Sequence, residues 1–191
     1  IDMKKLKTLL TLAMVALMSL SFTSCDEDAN TAYYLDGTWR GNMYVNSSYN
    51  GVTYTSTYSV ITFNAGYDSG DGYWVDYYSN GPYGNRNYVA NHIYWKVRDG
   101  NIYIHFVEEG NDVVIYNYGL NDRYFSGEVD AGHSYASFRL TKDNYDDWDD
   151  LDWGYWGYSS ISGNSPIVVD TRAAEGKDST QYVRWFEKTE K

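Results

Sequence analysis

From Leu35 to Lys142 the chain alternates apolar and polar residues in short runs broken by turn residues. Trp39, Met43 and Val45 alternate with Arg40, Asn42, Tyr44 and Asn46, which predicts a strand with one apolar face. Asn50-Gly51 follows as a tight turn, because both residue types tolerate positive φ. Between Val52 and Phe63, Val52, Tyr54, Tyr58 and Val60 alternate with threonines and serines, and the apolar face then switches to Ile61 and Phe63, as a β-bulge would make it. Gly72 to Tyr78 is a further strand, and Ser79 to Asn91 a long Gly/Asn loop with Pro82. The clearest hairpin runs through Ile93, Trp95 and Val97, turns at Asp99-Gly100, and returns through Ile102, Ile104 and Phe106. Glu109-Gly110-Asn111, Asn121-Asp122 and Ala131-Gly132 then separate the strands Asp112 to Gly119, Arg123 to Val129 and Tyr135 to Thr141. These runs predict about eight antiparallel strands at meander spacing, an all-β chain. A meander of that length closes most simply into an up-and-down eight-stranded β-barrel, which leaves no exposed sheet edge.

Both ends of the chain break the pattern. Lys4, Lys5 and Lys7 precede an apolar run from Thr8 to Phe22, the layout of a secretory signal peptide. That run is about 15 residues, short of the roughly 20 that cross a bilayer as a helix. Cys25, the single cysteine, follows directly on Ser24, and the pair resembles the lipobox of bacterial lipoproteins. The resemblance implies lipidation of Cys25 and a mature chain that starts there, attached to a membrane by its acyl chains. Asp26-Glu27-Asp28 resembles the surface-export signal of Bacteroidota lipoproteins, which implies an outer-membrane, cell-surface location. A periplasm-facing protein is the alternative, since in enteric bacteria Asp26 would imply retention at the inner membrane. The organisation expected is a signal peptide over 1–24, a polar tether over 25–34, the barrel over 35–142 and an irregular acidic-aromatic extension over 143–191. In that extension Gln181 to Lys188 fits both a helical face and a strand, and is expected as a strand pairing with the barrel margin.

Charge narrows the partners. The full chain carries −11, and loss of residues 1–24, with one aspartate and three lysines, takes it to −13. A body this acidic repels nucleic acid and anionic head groups. Aromatic residues make up 18% of the chain and 22 of them are tyrosines, side chains that bury an apolar body while keeping a polar tip wet.

Leu35-Asp36-Gly37-Thr38-Trp39-Arg40-Gly41 resembles the opening Gly-x-Trp of lipocalins, in which the tryptophan plugs the closed end of the barrel. Trp95 to Ile104 is similar to the central hairpin of small lipocalin-like lipoproteins of Bacteroidota. Lipocalins lay a basic side chain from near the last strand over that tryptophan. Arg139 is the nearest candidate here, but it alternates with Ala136, Phe138 and Leu140 and should face outward. The resemblance implies carriage of a small apolar ligand, with Tyr54, Tyr58, Ile93, Trp95, Ile104 and Phe125 as the expected pocket lining.

Candidate chemistry beyond this is sparse. His92, His105 and His133 lie on separate elements without metal-ligand spacing, so no metal site is expected from them. No nucleophile elbow and no phosphate-cradling loop appears, so neither enzymatic activity nor a cofactor is expected. The acidic-aromatic stretch suggests more. Trp148, Trp153, Tyr155 and Trp156 could stack on sugar faces while neighbouring carboxylates accept sugar hydroxyls, a glycan-binding alternative; the same rings could instead lie over the barrel mouth as a lid. Asp146 to Asp152 supply hard oxygens for calcium but lack the order of an EF-hand loop. Asp178-Ser179-Thr180 resembles a short O-glycosylation acceptor of Bacteroidota. A third reading is a partner-binding envelope protein without a ligand.

Overall fold

The computed structural model describes residues 27–49, 51–82, 87–144, 148, 151–154 and 183–187. The signal segment, Cys25, Tyr155, Trp156, Asp146 and residues 178–180 lie outside the described residues.

The chain is all-β, and among the described residues it forms a closed eight-stranded antiparallel barrel with two further strands and one helix. Helix α1 covers residues 27–35, part of the stretch that reads from the sequence as a polar tether. Its inner side carries Ala32 and Leu35, both fully buried. The strands follow as β1 (Gly37–Asn42), β2 (Val45–Tyr49), β3 (Val52–Ala65), β4 (Ser69–Tyr78) and β5 (Tyr88–Arg98). Next come β6 (Asn101–Phe106), β7 (Asn111–Leu120), β8 (Tyr124–Asp130), β9 (Tyr135–Asp143) and β10 (Val183–Phe186). Each strand from β3 to β9 pairs with its chain neighbour, and β1 closes the cylinder by pairing with β9 on one side and β3 on the other.

Turn chemistry fixes the registers. Asp99 and Gly100 both adopt positive φ, 52° and 71°, as the two-residue turn between β5 and β6 requires. β5 begins at Tyr88, so the loop before it is shorter than the Ser79–Asn91 span expected from its Gly/Asn content. The stretch expected as one first strand is two. Tyr44 takes φ 55° and its N–H bonds Asn42 Oδ1 at 2.7 Å, a local turn that ends β1 and sends β2 off in a new direction. β1 therefore pairs with the second half of β3, and β2 with its first half, Asn46↔Thr55 to Tyr49↔Val52. The free edge of β2 is taken by β10, from Val183↔Ser48 to Phe186↔Val45, so the strand reading of Gln181 to Lys188 holds over Val183–Phe186, with residues 181, 182 and 188 outside the described residues.

Two ends result. At the closed end α1 lies beneath the strands, and Asp28 accepts the Asp99 and Gly100 amides at 3.1 and 3.2 Å. Trp39 is fully buried above the helix and donates from Nε1 to the Leu35 carbonyl at 2.7 Å. Lys142 covers it, with Nζ 4.5 Å from the ring centroid and a hydrogen bond to the Asp36 carbonyl at the helix end. Burial holds the Lys142 ammonium below its usual pKa, against the opposing pull of Asp36 and Asp122. Arg139 does face outward, its guanidinium 4.5 Å from the Tyr124 ring. The basic residue over the tryptophan is thus Lys142, which has the same alternation parity as Phe138 and Leu140. At the open end stand the β2–β3, β4–β5, β6–β7 and β8–β9 connections together with β10.

Candidate functional site

The interior falls into two halves of different chemistry. In the closed half, aromatic rings meet edge to face. Phe125 lies 5.7 Å from Trp39, 6.3 Å from Phe63 and 5.0 Å from Phe138, and Phe63 lies 5.5 Å from Trp95. All five rings are buried, packed as a protein core is.

The open half is polar. β10 turns Arg184 and Phe186 inward, both buried. Arg184 Nη1 lies 2.7 Å from Asp76 Oδ2 and Nη2 2.8 Å from Glu109 Oε1, with Nε 3.0 Å from both Glu109 oxygens. Its guanidinium sits 4.5 Å from the Phe106 ring centroid and 5.9 Å from that of Trp74. The barrel wall holds these carboxylates in place. Asp76 Oδ1 accepts Ser59 Oγ at 2.6 Å and Trp74 Nε1 at 2.9 Å, and Glu109 Oε1 accepts Asn91 Nδ2 at 2.8 Å. Asn91 is fully buried, and its Oδ1 has no hydrogen-bond partner among the described residues. Above this cluster Tyr78 shares a 2.7 Å hydrogen bond with Ser47, beside Tyr49, Val89 and Tyr54.

Four of the six expected pocket residues are brought together in the buried core, and Tyr54 and Tyr58 are not. Ile93, Trp95, Ile104 and Phe125 point inward and are buried, with Trp95 Nε1 bonded to the Asp71 carbonyl at 2.8 Å. Tyr54 is half-buried at the open end. Tyr58 is stacked on Tyr77 at 4.6 Å, with the Arg40 guanidinium 4.3 Å from its ring centroid, on the outer wall. The register shift responsible lies between Ser56 and Tyr58, ahead of the Ile61 position that the alternation suggests.

Trp148 and Trp153 are also on the outer wall. Their rings lie 5.2 and 5.0 Å from Tyr73, and Trp153 is 4.0 Å from His92. Gly154 bridges to Ala90 through an N–H bond of 2.7 Å, and the Asp152 amide bonds the Tyr88 hydroxyl at 2.9 Å, so this part of the extension crosses β5. His92 is held in turn by Glu108, whose side chain is fully buried and meets the His92 Nδ1 and amide at 2.5 and 2.8 Å. His105 pairs with Asp112 at 2.7 Å on the exposed face, and His133 lies in the β8–β9 turn. Among the described residues no three histidine, cysteine or acidic side chains converge as a metal site would need.

The sequence reading missed the buried Arg184–Asp76–Glu109 group. Its one signal was alternation within β10, which puts Arg184 on the same face as the apolar Phe186. No family model, curated protein or solved structure matches the chain. The geometry defines an all-β protein with a closed eight-stranded antiparallel barrel, an architecture consistent with a lipocalin-like fold.

Proposed function

We propose that this is a lipid-anchored, non-catalytic binding protein of the bacterial envelope, held at an outer-membrane surface through Cys25 with the open end of its barrel directed away from the bilayer. The observation that carries this reading is that Glu27, only two positions after Cys25, already belongs to α1 at the closed end. Two residues reach at most about 7 Å, so an acyl chain on Cys25 would bring the closed end against the membrane. Tyr33 and Tyr67, 75% and 68% exposed at that end, are side chains suited to the head-group layer. The lipobox-like Ser24-Cys25 and the acidic run after it support a place among the small lipocalin-like lipoproteins of Bacteroidota. An apolar cargo would need space where Trp39, Phe63, Trp95, Phe125 and Phe138 now touch one another. Binding at the open end or on the outer wall fits the packing better.

Detergent-phase partition tests the anchor. The wild-type chain is expected in the detergent phase and Cys25→Ala in the aqueous phase; equal partition overturns the reading. Protease shaving of whole cells separates the two membrane faces, since only a surface protein is lost.

One outer-wall feature supports glycan binding as a second reading. Tyr94 stands 62% exposed in a groove of about 420 Å³ that Lys96, Tyr103, His105 and Asp112 also line. An open tyrosine face among charged hydrogen-bonding groups suits a sugar ring. Retardation in a polysaccharide-containing gel that Tyr94→Ala leaves unchanged would overturn it.

A further inference from the structure

We propose that the open half of the barrel is a binding site for a guanidinium group, which the chain fills with its own Arg184. This does not rest on the lipid anchor, and its test uses the purified chain.

The barrel wall alone supplies a receptor for such a cation. Asp76 comes from β4 and Glu109 from the β6–β7 turn, and their side chains are 0% and 3% exposed. Ser59, Trp74 and Asn91, from β3, β4 and β5, fix the two carboxylates through hydrogen bonds in which β10 takes no part. The acceptors therefore remain aimed at the same point whether or not Arg184 is present. Phe106 and Trp74 add aromatic faces, which attract cations. The unpaired Asn91 Oδ1 is one more buried acceptor in the same group, unused by Arg184.

Well-packed apolar side chains of similar volume commonly replace a buried ion pair at no loss. Two carboxylates against one guanidinium also leave the group with an excess negative charge, which selects for cations and against anions. The Arg184 contacts show the recognition mode: Nε hydrogen-bonds Glu109, Nη1 and Nη2 lie at ion-pair distance from Asp76 and Glu109, and a ring backs the group.

The occupant sits on the shortest of the described strands. β10 has four residues, and its register pairs are all with β2. A ligand carrying a guanidinium could compete with it, either as a free small cation or as an arginine on an extended peptide. The peptide would gain the β2 edge as well.

The test is cavity rescue in the full-length Arg184→Ala variant. Methylguanidinium is titrated while the melting temperature is followed, with the wild type as reference for general denaturation by the same salt. The expected result is a saturable rise in melting temperature for Arg184→Ala, absent in the wild type and in the double variant Asp76→Asn/Arg184→Ala. A monotonic fall parallel to the wild type overturns the proposal. If Arg184→Ala does not fold unaided, recovery of the far-UV β signal with methylguanidinium is the expected readout, and no recovery at any concentration overturns it. A second arm uses an acetylated, amidated Val-Arg-Trp-Phe peptide. Saturation at tenfold or more lower concentration than methylguanidinium assigns the site to an arginine-bearing strand, and equal concentrations assign it to a free cation.

Discussion

Truncating Phe125 to alanine tests whether the closed half of the barrel is a solid core or a chamber. Phe125 is fully buried, with four aromatic neighbours: Phe138 at 5.0 Å, Trp39 at 5.7 Å, Phe63 at 6.3 Å and Tyr118 at 6.4 Å. Removing its ring from a packed interior forfeits about 2 kcal/mol of transfer free energy. The space left, roughly 100 Å³ before relaxation, adds about 2 kcal/mol at ~24 cal/mol per Å³. The expected loss is therefore about 4 kcal/mol by urea unfolding with unchanged denaturant slope, or roughly a 10 °C fall in melting temperature for a chain of this size. Phe125→Leu keeps most of the volume and should cost under about 1.5 kcal/mol. Were the ring lining a ligand chamber, the cavity contribution would vanish, because the space beside it would already be empty. A loss of only about 2 kcal/mol for Phe125→Ala, the transfer contribution alone, would refute the packed reading and restore that of an apolar carrier.

Two other consequences can be measured on the same material. A Cβ on Gly72 would sit 1.8 Å from the Thr62 carbonyl oxygen on the paired strand, so Gly72→Ala should cost about 2–3 kcal/mol in urea unfolding as β3 and β4 are forced apart; a loss within 0.5 kcal/mol, as an ordinary surface site shows, would contradict that close approach. Burial, reinforced by the Glu128 and Asp130 carboxylates, holds the Tyr116 hydroxyl above its usual pKa of 10.0. Its proton thus leaves the unfolded chain first, and the stability it contributes is full below pH 10 and lost as pH rises through the folded-state value. Tyr116→Phe should flatten the alkaline decline in stability, and a pH profile parallel to the wild type would show the shift to be absent. Lys142, held low, acts in the opposite sense, since its cost to folding disappears as pH rises towards 10.5.

Strand and turn were readable from the residues because period-two alternation and positive-φ turn residues are local signals. They gave the β5–β6 hairpin, the turns at Gly110 and Gly132, and the inward parity of Ala136, Phe138 and Leu140, but not the extension of that parity to Lys142. The same signal misplaced Tyr58, because a bulge is a property of two paired strands and its position cannot be set by one. The division of β1 from β2 was hidden for a related reason. Tyr44 in a left-handed conformation is tolerated only because β9 and β10 offer each half a different partner. Tertiary structure alone decided the chemistry of the open half. Asp76, Glu109 and Arg184 come from three distant parts of the chain, and beyond the alternation that puts Arg184 on the Phe186 face nothing local marks them as partners. Their desolvation and pairing arise when the barrel closes and β10 takes its edge, which is a matter of long-range geometry that no run of neighbouring residues records.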